Sequence, residues 1–391
     1  MWADELCEWY NQVDKVKPLI TIADGSKKER KAKLAQNNKF TIINYAMLRD
    51  SDYGKLFNKK WDLVVADEAH KLKNRKTQQT QGFQKLTSKR MALLTGSPLL
   101  NSPEEIWSLL NILFPSRFGS YWQFVEDFCQ TEYNPFAQTP KIIGVKNKRE
   151  LHFLVNPLMI NRKKEDVLAD LPDKRYQTIK LKMDDKQEKI YRDLEENMFA
   201  DLGEDLLLTS TGLEQLLRLK QIALSPQLLD ADQVGVKIKT IKELLNDTDK
   251  KVVIFSRFAS FIELLAEKLN HKFVKITGEV DAQDRRRYEK QFQDDPQIKV
   301  FLGTIGSAGE GLNLQSASIM IFADKAWSPK VNEQCEDRVH RPGQTDSPLI
   351  ISLICKNTVD EDLELTLKNK NKVINETLAL NGVKEKILQR M

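Results

Sequence analysis

The stretch Leu63-Val64-Val65-Ala66-Asp67-Glu68-Ala69-His70 decides how this chain is read. Four apolar, partly β-branched residues suit a buried strand of a parallel sheet. Two carboxylates follow at once, and in open α/β sheets ligands bind at the carboxyl ends of strands. Asp67 could hold Mg²⁺, directly or through water, because a hard cation takes oxygen ligands. Glu68 could orient and deprotonate the water that attacks a γ-phosphate. The tetrapeptide alone leaves a second reading open, in which the acidic pair simply caps a helix start.

Outward from this point strands and helices alternate. Phe40 to Tyr45 and Met91 to Leu94 are further strand runs. A helix is predicted from Ser102-Pro103-Glu104-Glu105, where Ser102 caps, Pro103 takes the first helical position and Glu105 closes a capping box. Its apolar face is Ile106, Leu109, Leu110 and Leu113. Residues from about 104 to 235 read as mainly helical, interrupted by the strand-like alternation of Tyr176 to Leu181. From Lys251 the alternation returns, with strand runs at Lys251 to Phe255, Phe273 to Ile276, Val300 to Gly303, Ile319 to Phe322 and Leu349 to Leu353. This pattern predicts an α/β fold of two lobes, each a parallel sheet flanked by helices, with a helical insertion. The expected boundaries are 1–182 for the first lobe, with a helical protrusion at about 104–160, then 183–235 for a helical linker and 236–391 for the second lobe.

A second concentration of chemistry lies at Gln334-Cys335-Glu336-Asp337-Arg338-Val339-His340-Arg341-Pro342-Gly343-Gln344. On a helix Gln334, Arg338 and Arg341 share a face, being spaced four and three apart. Two guanidinium groups side by side repel unless an anion lies between them, and a transferring phosphoryl group is such an anion. Asp337 could equally make a structural ion pair. The turns Leu94-Thr95-Gly96-Ser97-Pro98 and Gly303 to Leu314, the latter with Gly309 and Gly311, carry small residues that let backbone approach a ligand. They are also ordinary turn chemistry.

Composition excludes more than it selects. Hydrophobic residues make up 41% and charged residues 30%, the balance of a globular protein. No apolar run is long enough to span a membrane, and the N-terminus lacks the pattern of a secretory signal. Cys7, Cys129, Cys335 and Cys355 form no CxxC pair, which suits free thiols in a reducing cytoplasm. A net charge of +5 is compatible with nucleic acid without demanding it.

The order of the motifs resembles the SNF2 branch of the superfamily 2 helicase-like motors, over nearly the whole chain. Trp2, Glu5 and Trp9 resemble the tail of motif Ia, Ile43-Asn44-Tyr45 the next DNA-facing motif, and Asp67 to His70 the DEAH box. Leu94 to Asn101 with Glu105, Trp107 and Asn111 is similar to motif III and its SNF2-specific extension. Arg162 to Val167, Leu171-Pro172-Asp173-Lys174, Gln187 with Tyr191, and Leu216 to Leu229 are further markers of the branch. Val253 to Phe258 resembles motif IV, Gly311 to Leu314 motif V, and Gln334 to Gln344 motif VI. The resemblance implies two RecA-like lobes and a DNA-stimulated ATPase that uses ATP and Mg²⁺ and translocates along double-stranded DNA. It implies Asp67, Glu68, Arg338 and Arg341 as catalytic residues. His70, Thr95, Gly96, Ser97, Gly309, Gly311, Gln334 and Asp337 would couple ATP to motion, and Asn44, Tyr45, Ser256, Arg257 and Trp327 would contact DNA.

Three departures qualify it. No GxxxxGK[ST] occurs, so the phosphate-binding loop is expected upstream of Met1, in a longer chain or in a separate upstream polypeptide; a non-catalytic DNA-binding remnant is the alternative. Motif V carries Ala308 and Glu310 where glycine and an apolar residue are usual, and Asp337 to Arg341 with Thr345-Asp346-Ser347 resembles the annealing-helicase branch. A core without an attached chromatin-reading module suits a bacterial, plasmid or phage protein acting in the cytoplasm.

Overall fold

The computed structural model describes residues 2–13, 19–36, 38–96, 104–133, 140–160, 162, 168, 170–197, 199–201, 206–208, 212–308 and 311–378. The chain divides into two compact units. The first groups Met1–Met159 with the end of the chain from Ile374, and the second is Ile160–Val373.

In the first unit the predicted strands pair in parallel: Ile20–Ile22 with Phe40–Ile42, and Lys60–Ala66 with Thr87–Leu93. The second pair sets Ala66 opposite Leu93, so the acidic pair and the small-residue turn leave the sheet at the same end. Beneath them Leu48, Ala66, Ala69, Leu72, Phe83 and Leu109 form one core. Gly82 is required there, since a Cβ would sit 1.8 Å from the Leu48 carbonyl oxygen.

The helix after the turn runs Glu105–Leu113 and buries Ile106, Trp107, Ser108, Leu109 and Leu110. The predicted cap, Ser102 and Pro103, lies outside the described residues. The protrusion also contains an antiparallel pair, Cys129–Glu132 with Lys141–Val145, which its sequence did not announce.

The second unit is built on one six-stranded parallel sheet in the order Phe273–Ile276, Val300–Thr304, Val252–Ser256, Ile319–Phe322, Leu349–Cys355, Arg175–Leu181. Val252 and Ile254 feed one core and Val253 and Phe255 the other, so both faces are covered. Each fully buried side chain of this kind contributes about 1.5–3 kcal/mol.

Two expected boundaries move. Arg175–Leu181, assigned from sequence to the first lobe, pairs along its whole length with Leu349–Cys355 and forms the edge of the second sheet. The helices Asp185–Asn197 and Gly212–Leu224, expected as a linker, pack Tyr191, Leu194, Ile222 and Ala223 against Cys355 and Val359 of the second unit. Fully buried Gln187 locks them: its amide donates to the Ile222 carbonyl at 2.7 Å and accepts from Val236 N at 2.9 Å.

Candidate functional site

At the end of strand Lys60–Ala66 the chain turns sharply. Glu68 adopts a left-handed backbone, φ 49°, ψ 48°, which costs a non-glycine residue about 1 kcal/mol or more. The turn is held by Ala69 N donating to the Leu94 carbonyl and Leu94 N donating to the Ala66 carbonyl, both at 2.8 Å. Asp67 is fixed from three sides. Trp2 Nε1 donates to its Oδ2 and Glu68 N to its Oδ1, each at 2.9 Å, while the Tyr45 hydroxyl donates to its main-chain oxygen at 2.6 Å. His70 Nδ1 lies 3.1 Å from Glu68 Oε2. Burial, then the two carboxylates, holds the Tyr45 phenol well above its ordinary pKa, so it stays a donor. Thr95 and Gly96 follow the neighbouring strand, with open space where a Gly96 Cβ would be. Ser97 lies outside the described residues.

The second-unit site is assembled on helix Pro329–Val339. Gln334 is half-buried on it, Arg338 is 7% exposed, and Arg341 follows its end with Nε donating to the Asp337 carbonyl at 3.1 Å. Burial, and next the charge of Arg338, lower the pKa of Arg341, the mutual repulsion the spacing anticipates. Gly311, at φ 80°, opens the loop that brings Leu314 N to the Arg338 carbonyl at 2.9 Å and Asn313 N to Glu289 Oε1 at 2.9 Å. Glu289 was missed from sequence. Burial raises its pKa against the pull of the Asn313 amide and of Arg341, Arg286 and Arg338. Gly309 lies outside the described residues.

Asp337 does make an ion pair, but with Lys174, which bridges Glu336 at 3.0 Å and Asp337 at 3.2 Å. His340 Nε2 donates to the Pro172 carbonyl at 2.7 Å. The Leu171 to Lys174 marker is therefore a brace for the arginine-bearing helix.

Of the nominated DNA contacts, Arg257 and Asn44 are exposed and Trp327 half-buried. Ser256 is fully buried and donates to Asp324 Oδ1 at 2.5 Å, so it supports the surface from inside instead of forming it. Tyr45 likewise spends its hydroxyl on Asp67.

The model of the SNF2-related domain matches residues 1–228. The chain belongs to the SNF2-related family. A second model, the helicase conserved C-terminal domain, matches residues 236–343, which include Arg257, Trp327, Arg338 and Arg341. The first match runs past the end of the first unit through the helices that brace the second sheet. Among relatives, the human "DNA annealing helicase and endonuclease ZRANB3" is 29% identical over 99% of this chain and 36% of its own length. The Saccharomyces cerevisiae "ISWI chromatin-remodeling complex ATPase ISW1" is 28% identical over 92% of this chain and 34% of its own. The chain thus spans about a third of the curated relatives it matches. Among solved structures, the Sulfolobus solfataricus SWI2/SNF2 ATPase core in complex with dsDNA is 25% identical, with a TM-score of 0.43, over 95% of this chain and 84% of that one. Among the described residues, no helix is long and apolar enough to cross a membrane.

Proposed function

We propose that this chain is the core of an ATP-dependent motor that moves on duplex DNA. The observation that carries this reading is the acidic pair at the end of strand Lys60–Ala66, presented by a left-handed turn and fixed by Tyr45 and Trp2. Each Asp67 carboxylate oxygen takes one donor, which leaves acceptor capacity for a hydrated cation. Mg²⁺ there would neutralise charge on the β- and γ-phosphate oxygens of ATP. Glu68 takes the proton of the attacking water, with His70 Nδ1 3.1 Å from its Oε2. Arg338 and Arg341, in the second unit, are a guanidinium pair suited to phosphoryl oxygens through charge-assisted hydrogen bonds.

The phosphate-binding loop is not among these 391 residues, so turnover requires a loop supplied from outside them. The first unit agrees with such a completion. Leu63 and Val65 are 54% and 46% exposed, although a parallel strand ordinarily has both faces covered.

Asn44, Arg257 and Trp327 are the proposed DNA contacts, with Tyr45 and Ser256 as their inner supports. Contacts of this kind read phosphates and carry no base information. Anisotropy titrations with two unrelated duplexes at several salt concentrations test this. Equal affinities that fall steeply with salt are expected; salt-independent binding, or a strong preference for one sequence, contradicts the motor.

A further inference from the structure

Behind Arg257 lies a closed set of charges that the ATPase chemistry does not use. Lys220, on helix Gly212–Leu224, is 2% exposed, and its ammonium sits 5.1 Å from the centroid of the Trp327 ring. Among the described residues its Nζ has no hydrogen-bond acceptor. Asp324 is 4% exposed. Its Oδ1 accepts from Ser256 Oγ at 2.5 Å and from Arg257 N at 3.0 Å, and its Oδ2 has no donor among the described residues. Lys237, fully buried, donates to the Ala323 carbonyl at 2.7 Å and to Asp360 at 2.6 Å. Lys237 and Asp360 therefore pair inside the unit, beside the buried Lys220 and Asp324.

Lysine is almost never fully buried unless paired. Burial pulls the Lys220 ammonium below the ordinary lysine range, and Asp324 and then Asp360 pull it back. Burial outweighs their attraction, helped by the repulsion of Lys237 and Arg257. Among the described residues the Lys220 ammonium faces the ring of Trp327, with no hydrogen-bond acceptor of its own.

We propose that Lys220 is a positioning residue for duplex engagement: it holds Trp327 through the face of its ring, on the same side of the unit as the turn that presents Arg257. This rests on reading Arg257 and Trp327 as DNA contacts. Because Lys220 does not reach the surface, it acts on affinity without touching a phosphate.

The test is the anisotropy of a labelled duplex bound by the full chain across a salt series. Lys220→Met is expected to weaken binding about fivefold at every salt, the scale of one ordered cation–ring contact, with an unchanged slope. Lys220→Arg retains most of the affinity, and Arg257→Ala flattens the slope by about one counterion. Where Arg257→Ala weakens binding as expected, wild-type affinity in Lys220→Met, or a slope flattened as in Arg257→Ala, overturns the proposal. Should Lys220→Met fail to fold, the neutral pair Lys220→Met with Asp324→Asn takes its place with the same expectation, and wild-type affinity in it is equally fatal. If Arg257→Ala is also silent, the DNA-contact reading has failed. Positioning is then judged without DNA, by acrylamide quenching of the fluorescence that Trp327→Phe removes. That quenching rises in Lys220→Met and not in Lys220→Arg; unchanged quenching overturns the proposal.

Discussion

The Tyr45 hydroxyl donates to the main-chain oxygen of Asp67 across 2.6 Å. A residue of a motif expected to face DNA is thereby tied to the backbone of the aspartate expected to face Mg²⁺, within one compact unit. The proposed DNA contact at Asn44 and the proposed metal contact at Asp67 thus lie at the two ends of a short link. Tyr45→Phe should cost about 1 kcal/mol in urea unfolding, the scale of one hydrogen bond, and leave the salt slope of duplex binding unchanged. Duplex affinity lowered severalfold with the urea midpoint unchanged would restore Tyr45 as a phosphate contact.

Lys174 is the structural counterweight of the arginine helix. Its side chain is 14% exposed, between Glu336 and Asp337. Lys174→Met should destabilise the second unit by about 3 kcal/mol, because the buried Glu336 and the half-buried Asp337 lose their cation. Lys250→Ala, at an exposed pair with Asp346, should cost less than about 1 kcal/mol. Comparable urea midpoints for the two variants would refute the brace.

Glu289 supplies a pH signature. Its folded pKa is raised, by burial first, so its ionised form destabilises the fold. That penalty is absent below the ordinary carboxylate pKa and grows as pH rises from there through the raised value. Glu289→Gln should therefore melt higher than the parent at neutral pH and alike at pH below about 4. A variant that melts lower at neutral pH would show that pairing with Arg338 and Arg341 outweighs burial.

Strands with continuous apolar, β-branched runs, such as Val252–Ser256 and Val300–Thr304, were legible because burial on both faces leaves no other composition. The edge strand Arg175–Leu181 was legible as a strand but not in its sheet, since its partner Leu349–Cys355 lies far along the chain and nothing local encodes that pairing. The spacing of Arg338 and Arg341 anticipated their mutual repulsion. Ser256, Lys220 and Glu289 were misread or missed for one reason. Polar residues are expected at the surface, and only the packed structure shows which are buried against a partner.

The proposed base role of Glu68 is tested by separating binding from chemistry. With a loop-bearing segment supplied, Glu68→Gln should abolish hydrolysis and spare nucleotide binding, because the amide keeps size and polarity but cannot take a proton. Equilibrium binding of a fluorescent nucleotide beside a phosphate-release assay separates the two. Loss of binding would make Glu68 a metal-holding or structural residue.

The most direct test of the motor itself is steady-state ATP hydrolysis with and without duplex DNA, first by these 391 residues alone and then joined to a segment that carries a GxxxxGK[ST] loop. The expected result is background turnover alone and DNA-stimulated turnover when joined, abolished by Arg341→Ala. Vigorous DNA-stimulated hydrolysis by the 391 residues alone, or full activity in Arg341→Ala, would contradict it.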